Sequence, residues 1–332
     1  MENGQVLVSV IIPVFNSGIH LKRCLDSVAA QTWRELDVIL VDDGSSDGSS
    51  SICDYYALID NRFHAFHTAN RGPGAARNFG LEHAAAKFVC FIDSDDWCEP
   101  GFVASFFREG EMRNDLVIQG MVRDHLDAPS LSTSLRDAYY DRLSFPTCFA
   151  DNNLLVYGGP CCKLFKKSIL TEFNIQFPVD YQFGEDLVFF LNYVCRCNSI
   201  RCYPQAYYHY VEQFENTLSS KVHDSIPLQQ FIVESVQALN NALPKESSQD
   251  VKLLFNNHCL DLAKRSICNM YKLHYNRKRK ILVLSFMKKH VRGSLHYKRA
   301  IIKNRVFLWA TRLPVLIQLA LFDMLHAFGI IH

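Results

Sequence analysis

Short apolar runs alternate with helical stretches over roughly the first third of the chain. Runs of about four to eight residues rich in Val, Ile and Phe are typical of buried strands. Stretches with apolar residues three or four positions apart predict helices with one buried face. The predicted strands are Val6–Pro13, Asp37–Val41, Phe63–Thr68, Phe88–Ile92 and Leu116–Gly120, and the predicted helices are Ile19–Ala30, Ala75–Ala86 and Pro100–Met112. This alternation predicts an α/β fold with a mostly parallel, twisted sheet and helices on both faces.

Polar side chains follow each of the first four predicted strands. Asn16 follows the first strand, which we expect to end at Pro13 because proline has no backbone N–H to donate. The later clusters are Asp42 and Asp43, Asn70–Gly74, and Asp93–Asp96. Ligands bind beyond the carboxyl ends of the strands in such sheets. The four clusters are therefore expected to converge at one edge of the sheet.

The stretch Phe88–Trp97 carries the strongest chemical signal. Its five apolar residues run directly into three carboxylates, which repel one another unless a cation lies beside them. Oxygen ligands on a tight turn suit Mg²⁺ or Mn²⁺, which commonly share their coordination shell with phosphate oxygens. The alternative is a solvated acidic turn, but the expected convergence of the four clusters favours a metal site.

Two features of the second half bear on a site. Gly184-Glu185-Asp186 precedes an apolar helix, and acids in a first turn favour the helix dipole, so a simple N-terminal cap is the alternative to a functional role. Ala206–Val211 alternates aromatic residues with His209, as in a half-buried strand. Val122–Asn153 is irregular and is interpreted as an insertion or connection.

The composition is that of an ordinary globular protein, with 332 residues and 48% apolar content. Its 12 cysteines lack framework spacing and are expected to be reduced thiols. Cys195, Cys197 and Cys202 could suggest zinc, but their spacing is not that of a standard site. The polar residues Met1–Gln5 do not resemble a signal peptide, and no stretch reaches the roughly 18 apolar residues of a spanning helix. These features predict a cytoplasmic protein.

The charge is unevenly distributed along the chain. From Val251 onward there are 16 basic and only two acidic residues, a net charge of +14. Because the whole chain carries +1, the preceding part carries −13. Basic residues beside the apolar runs Ile281–Met287 and Val306–Phe328 are typical of helices in an anionic membrane interface. The alternative is a basic helical bundle packed on the acidic body. No motif for nucleic-acid binding is present.

Five blocks of sequence, in this order, resemble the inverting, nucleotide-sugar-dependent glycosyltransferases of family 2, which have the GT-A fold. The blocks are Val8–Asn16 (V-S-V-I-I-P-V-F-N), Val41–Gly48 (V-D-D-G-S-S-D-G), Asn70–Asn78 (N-R-G-P-G-A-A-R-N), Phe91–Asp96 (F-I-D-S-D-D) and Gly184–Phe190 (G-E-D-L-V-F-F). They lie within about two thirds of the chain.

The resemblance implies a nucleotide site in the first blocks. Pro13 and Phe15 would line the base slot, although a core aromatic is the other interpretation of Phe15. Asp43 would accept a hydrogen bond from the base, which favours uracil, whereas the adjacent Asp42 could serve only to shape the turn. The remaining roles are close backbone approach at Gly72 and diphosphate binding by Arg77, for which an ion pair with a nearby acid is the alternative.

The resemblance also implies the catalytic groups. In the motif Asp93-Ser94-Asp95, Asp93 would face the ribose and Asp95 would hold the metal, Mn²⁺ or Mg²⁺. Asp186 would be the catalytic base, with Glu185 positioning it or the acceptor. His209 could approach the metal, but a structural role is the favoured interpretation.

The implied enzyme transfers a hexosyl or N-acetylhexosaminyl group from a nucleotide diphosphate sugar, with UDP favoured, to a hydroxyl of a glycan or lipid-linked acceptor. The implied domains are a GT-A catalytic domain (1–222) and a basic helical region (223–332) that could associate with the inner face of the membrane. The catalytic domain would divide into a nucleotide-binding part (1–121) and an acceptor part (122–222). The alternatives are a non-catalytic nucleotide-sugar-binding module and an oxidoreductase, which is disfavoured because no G-x-G-x-x-G follows the first strand. The motifs specify neither sugar, acceptor, linkage nor oligomeric state.

Overall fold

The computed structural model describes residues 7–109, 113–125, 129–155, 157–180, 184–212, 263–290 and 313–327, with a few positions between 224 and 243. The first half alternates strand and helix, as the apolar pattern predicts. Its elements are β1 (Val8–Val14), α1 (Gly18–Ala29), β2 (Leu36–Asp42), α2 (Ser49–Ile59), β3 (Phe63–His67), α3 (Pro73–His83) and β4 (Phe88–Phe91).

The second half is built from shorter pieces. Its strands are β5 (Trp97–Cys98), β6 (Leu116–Gln119), β7 (Met121–Asp124), β8 (Leu131–Thr133), β9 (Ala138–Asp141), β10 (Lys163–Lys166), β11 (Ser199–Tyr203) and β12 (Tyr208–Val211). Its helices are α4 (Phe145–Asp151), α5 (Lys167–Glu172), α6 (Glu185–Val194), α7 (Arg277–His290) and α8 (Val315–Ala327). Residues 263–272 are also helical.

An eight-stranded sheet in the order β3-β2-β1-β4-β10-β6-β11-β9 forms the centre of the molecule. The first four strands in this order are mutually parallel, as are β6 and β11. β10 runs antiparallel to both of its neighbours, and β9 is antiparallel to β11. The carboxyl ends of β1, β2 and β4 therefore meet at one edge, as expected for the polar clusters that follow them.

A second sheet, in the order β5-β12-β7-β8, has four strands. It collects the residues that directly follow the Asp93–Asp96 turn, the strand that contains His209, and part of the irregular segment Val122–Asn153. β12 is antiparallel to β5 and parallel to β7. The segment interpreted as an insertion thus supplies strands to both sheets.

The prediction that β1 ends at Pro13 is wrong, because the strand continues to Val14. The carbonyl of Ile11 accepts a hydrogen bond from the N–H of Ile92 on the β4 side of the strand. Alternate residues of a strand point their polar groups to the same side, so the nitrogen of Pro13 also faces that side. Pairing with β4 stops at Ile11, and the missing N–H removes no ladder hydrogen bond there.

The predicted helix Pro100–Met112 is also wrong, because among the described residues this segment has turns and a 3₁₀ helix, Ala104–Phe107. Phe102, Phe106 and their neighbours are buried nearly all round, so the segment lacks the polar face of a surface helix. The hydroxyl of Ser105 donates to the carbonyl of Phe102 and, at 2.8 Å, to the side chain of Gln119. These contacts fix the short turn against β6.

Apolar clusters cover both faces of the large sheet. Alternate residues of β1 enter different clusters, with Ile11 in the one that contains α6 and Val10 in the one beneath α1. The described C-terminal residues, among them Met270 and Phe322, belong to the cluster of α6. The described part of the basic region therefore packs against the element α6. None of the described helices is long and apolar enough to cross a membrane.

Candidate active site

The turn after β2 is held by Asp42, which is buried and fully engaged. Its carboxylate accepts hydrogen bonds from the N–H of Ser45 (3.0 Å), the hydroxyl of Ser50 (2.5 Å) and the ring of His67 (2.9 Å). Burial would raise the pKa of Asp42, but these hydrogen bonds together lower it below its usual value. Asp42 thus shapes the turn, which is the structural role that was the alternative to nucleotide binding.

Asp43 joins the turn after β2 to the Asn70–Gly74 turn. Its carboxylate accepts from the N–H groups of Arg71 (2.9 Å) and Gly72 (2.7 Å) and from the hydroxyl of Thr68 (3.3 Å). Gly72 has φ +91°, a conformation that L side chains rarely adopt, and a Cβ there would meet nothing within 4 Å. The backbone of this turn is therefore open to a ligand at Gly72.

Two predicted base-slot residues lie at the end of β1. Pro13 is buried within the strand, whereas Phe15 has 49% of its surface exposed. The interpretation of Phe15 as a core aromatic is therefore wrong. An exposed aromatic ring at the carboxyl edge of the sheet is a surface on which a planar base can stack.

The turn Asp93–Asp96 follows β4 and lies against α1. The hydroxyls of Ser94 and Ser17 are 2.6 Å apart, and the guanidinium of Arg23 donates to the carbonyl of Asp95 at 3.1 Å. Burial, reinforced by the charge of Asp93, raises the pKa of the Asp95 carboxyl. The turn thus carries negative charge that costs free energy until a cation or proton reaches it.

Asp96, which had no predicted role, anchors the second sheet to this turn. Its carboxylate accepts from the hydroxyl of Tyr208 at 2.6 Å and from the N–H of Val211 at 2.8 Å. The same hydroxyl accepts from the N–H of Asp93 at 3.2 Å. β12 therefore fixes the backbone of the acidic turn from one side.

Arg77 of α3 ties the acidic turn to the N-terminus of α6. Its buried guanidinium donates to Asp93 and to Asp186, both at 2.8 Å, and to Glu185 at 3.3 Å. It also lies over the ring of Phe177, 5.3 Å from the centroid. The predicted alternative, an ion pair with a nearby acid, is therefore observed. The pair is buried, and it includes three acids rather than one. The predicted contact of Arg77 with a diphosphate remains a prediction.

Asp186 lies in the first turn of α6 with a third of its side chain exposed. Burial raises its pKa to about 8; Arg77 opposes this shift, and the charges of Glu185 and Asp93 reinforce it. A partly exposed carboxyl with a pKa near neutrality suits proton transfer. The electrostatics therefore make Asp186 a candidate base, and Arg77 limits the rise of its pKa.

A loop before β10 faces Asp186 and depends on Lys163. The fully buried ammonium of Lys163 donates to the carbonyls of Tyr157 (2.7 Å) and Gly159 (2.5 Å), and burial lowers its pKa. A Cβ built on Gly159 would lie 3.9 Å from a carboxylate oxygen of Asp186. The sequence interpretation assigned Lys163 no role; the signal available was one lysine at the start of an apolar strand.

His209 lies in β12 with carboxylates on both ring nitrogens. Nδ1 is 2.9 Å from Asp124 and Nε2 is 3.4 Å from Glu99, and the ring stacks on Trp97 with centroids 3.6 Å apart. These contacts account for a structural role. Metal ligation by His209 stays a prediction.

The donor set fits a metal only in part. Among the residues that the structure describes, no three His, Cys, Asp or Glu side chains form a group that could hold an ion. Asp95 would supply one hard oxygen ligand, and Mg²⁺ or Mn²⁺ bound there would need further oxygens from phosphate or water. That donor set suits an ion that arrives with a phosphorylated ligand.

Comparison with known sequences identifies a family. Residues 9–173, about half of the chain, match the model for glycosyl transferase family 2. EpsH of Bacillus subtilis, named as a glycosyltransferase, is 32% identical over 206 residues, covering 61% of this chain and 60% of that protein. The poly(ribitol-phosphate) beta-glucosyltransferase of Bacillus spizizenii is 26% identical over 253 residues, covering 74% and 39%. The chain thus spans less than two thirds of the length of either relative.

Solved structures show the same fold. The S. aureus TarS 1-349 complex with UDP-GlcNAc superposes with a TM-score of 0.72 at 20% identity, covering 97% of this chain and 92% of that one. The mannosyltransferase PcManGT from Pyrobaculum calidifontis, in complex with GDP-Man and Mn2+, gives a TM-score of 0.51 at 15% identity. These matches confirm the predicted GT-A fold.

Proposed function

Because the chain belongs to glycosyl transferase family 2, we propose that it transfers a hexosyl or N-acetylhexosaminyl group from a UDP-sugar to a hydroxyl of a glycan or lipid-linked acceptor. One observation carries this proposal. Arg77 bridges Asp93, in the turn after β4, to Asp186, a partly exposed carboxyl with a raised pKa. A base is thereby held beside the acids that would meet the nucleotide and its metal.

Asp186 takes the proton from the acceptor hydroxyl in the proposed step. The oxygen forms a bond to the anomeric carbon while the bond from that carbon to the diphosphate oxygen breaks, and the leaving diphosphate keeps the electron pair. Attack from the face opposite the diphosphate inverts the configuration. The N–H donors of Arg77 favour the ionised form of Asp186 and limit the rise of its pKa, and Glu185 contacts the same guanidinium.

The donor is proposed to bind at the ends of β1, β2 and β4. Phe15 stacks on the base beside Pro13, Asp43 accepts from its imide, and Gly72 admits the ligand to the backbone. Asp93 contacts the ribose, and Asp95 would hold Mn²⁺ or Mg²⁺, which neutralises charge on the leaving diphosphate when bound. Support comes from the exposure of Phe15 and from the complex of TarS with UDP-GlcNAc.

A screen of nucleotide sugars tests the proposal. We expect at least one UDP-sugar to raise the melting temperature in the presence of Mn²⁺, because a ligand of the native state stabilises it. Hydrolysis of that sugar nucleotide by the wild type, and its loss in D186N, would separate an enzyme from a binding module. If no nucleotide sugar shifts the melting temperature with either metal, the proposed function is wrong.

The domain division also remains a proposal: a nucleotide-binding part (1–121), an acceptor part (122–222) and a basic region (223–332). We propose that the basic region brings the enzyme to anionic lipids at the cytoplasmic face of the membrane. Its sequence carries the net charge of +14 from Val251 onward, although residues 291–312, which hold many of these cations, lie outside the described part. Flotation with anionic liposomes at low salt tests this, and a chain that stays at the bottom contradicts it.

A further inference from the structure

Arg123 in β7 has a guanidinium without a polar partner among the described residues. Its buried Nε–H donates to no acceptor among those residues, and its Cζ lies 5.4 Å from the ring centroid of Tyr157. The other two arginines with a buried unpaired nitrogen differ, because Arg77 and Arg62 each hold carboxylates through their remaining nitrogens. Arg123 is thus a partly buried cation whose hydrogen-bonding capacity is left to something outside the described chain.

The register of the second sheet shows on which face of that sheet the side chain of Arg123 lies. It is paired with Tyr210 in the parallel ladder between β7 and β12. Paired residues share a face, and residues two apart on one strand share it too, so Arg123 lies on the face of Tyr208. Tyr208 on that face binds Asp96 and the backbone of Asp93. Arg123 is therefore on the side of the sheet that covers the acidic turn.

The electrostatics of Tyr210 agree with this placement. Burial raises the pKa of Tyr210 to about 12; Asp96, Asp95 and Asp93 reinforce the shift, and Arg123 opposes it. Tyr210 thus lies within the field of the acidic turn on one side and of Arg123 on the other. Arg123 and the three acids therefore act on the same phenol, although no ion pair between described residues joins Arg123 to these acids.

Tyr157 links Arg123 to the loop that faces Asp186. The carbonyl of Tyr157 is held by Lys163, in the loop whose Gly159 faces Asp186. Arg123 stacks on the ring of this same residue. Arg123 therefore shares a sheet face with the tyrosine that holds the acidic turn and contacts the loop beside the proposed base.

We propose that Arg123 binds a phosphate oxygen of a ligand that lies against the acidic turn and the loop beside Asp186. The inference rests on the proposed function. A guanidinium offers a planar fork of donors that matches phosphate, and the stacked tyrosine orients that fork. The phosphate belongs either to the diphosphate of the donor or to a phosphate carried by the acceptor, and binding measurements separate these two sources.

Calorimetric titrations of the full chain with UDP and Mn²⁺ test the donor arm. R123Q should bind UDP about 10- to 100-fold more weakly than the wild type, the loss expected for one charge-assisted hydrogen bond, and uridine equally well. The matched control is R108Q, because Arg108 also lies 5.4 Å over a tyrosine ring, that of Tyr203, and is already bonded to Gln205. R108Q should leave both affinities unchanged.

Titration with glycerol 3-phosphate tests the acceptor arm. Weaker binding of this probe by R123Q, with unchanged binding of UDP, assigns the phosphate to the acceptor. Unchanged affinity for both probes overturns the proposal. If the wild type binds no UDP, the proposed function itself is wrong. If the wild type binds UDP and R123Q has the same affinity for UDP and for glycerol 3-phosphate, only the role of Arg123 is wrong.

Thermal unfolding of R123M separates a binding role from a structural one. Removing an unpaired, partly buried cation should leave the melting temperature of the unliganded protein unchanged or higher, because the desolvated charge is gone. An unchanged or higher melting temperature together with weaker binding of either probe supports the proposal. A lower melting temperature with unchanged affinities shows that Arg123 serves packing, and overturns it.

Discussion

Two acidic turns lie at the same edge of the sheet, and the pKa values of their carboxyls are shifted in opposite directions. Asp42 at the end of β2 is buried, yet donors from its own loop and from β3 lower its pKa. Asp95 after β4 is half-buried, and desolvation together with Asp93 raises its pKa. Sequence alone does not separate the two turns, because both follow an apolar strand and both hold adjacent acids.

The difference teaches how to tell a scaffold acid from a ligand-binding acid. Where the chain supplies enough N–H and O–H donors, the carboxylate stabilises the fold and needs no ligand. Where burial and neighbouring carboxylates outweigh the favourable contacts, the ionised carboxyl is disfavoured until a cation or proton arrives. Asp186 belongs to the second kind, because its pKa is raised although Arg77 donates to it.

The largest expected effect is on Asp186. D186N should lower the rate of sugar transfer by about 10²–10⁴-fold while leaving UDP affinity near that of the wild type, because it removes the base and keeps the shape. The wild-type rate should rise with pH up to about 8, as the carboxyl loses its proton. Steady-state kinetics across pH measure both.

Glu172, an exposed acid at the end of α5, offers the control. E172Q should transfer sugar at the wild-type rate. Near wild-type turnover by D186N would show that another group accepts the proton.

Asp95 should follow in size. D95N should lower transfer by about 10²–10³-fold, the loss typical of removing one electrostatic contact to the leaving group, and should abolish stimulation by Mn²⁺. Its melting temperature without ligand should equal or exceed that of the wild type, because a repelled carboxylate has been neutralised. A D95N protein that is less stable than the wild type by more than 1 kcal/mol would place Asp95 with the scaffold acids.

Asp42 should show the opposite behaviour. D42N should lower the free energy of unfolding by about 1–3 kcal/mol, because the amide cannot satisfy all the donors that meet the buried carboxylate. Urea unfolding measures this. D54N is the matched control, since Asp54 bonds the other nitrogen of the same His67 from an exposed position and should change stability by less than about 0.5 kcal/mol. Equal losses in the two variants would contradict the distinction.

The smallest expected effect is a pH dependence of stability. Carboxyls with raised native pKa values stabilise the fold below their unfolded value of about 4, and this contribution is lost as pH rises through the raised value. The melting temperature without metal should therefore fall by a few degrees between pH 5 and pH 9. Mn²⁺ should raise it more at pH 8 than at pH 5, because the metal competes with protons for Asp95.

The Mn²⁺ measurement has a direct control in D95N, whose response to the metal should be small at both pH values. An equally large Mn²⁺ response in D95N would show that the ion binds elsewhere. The lowered pKa of Asp42 acts in the other direction, since its contribution is present above about pH 4 and lost only at lower pH. It therefore does not obscure the shift above pH 5.

The apolar pattern predicted β1 to β4, the helices α1 and α3, and the edge at which the polar turns meet. These features are local, since a buried strand needs only a short apolar run and a helix only its period. Prediction was wrong where tertiary contacts override local preference. Pro13 stays in β1 because pairing with β4 has already ended on the side that its nitrogen faces. Residues 100–109 form turns because apolar partners surround them.

The amino-acid sequence by itself determined the order of the turns, the acids they carry and the family whose motifs they match. Only the tertiary structure decided which charges are satisfied. Arg77 meets Glu185 and Asp186 across 108 and 109 positions of chain, and Arg123 meets Tyr157 through a sheet assembled from short strands. Whether a carboxylate is a scaffold or a ligand site depends on the number of donors that reach it and on the water excluded around it, and both quantities exist only once distant segments have packed together.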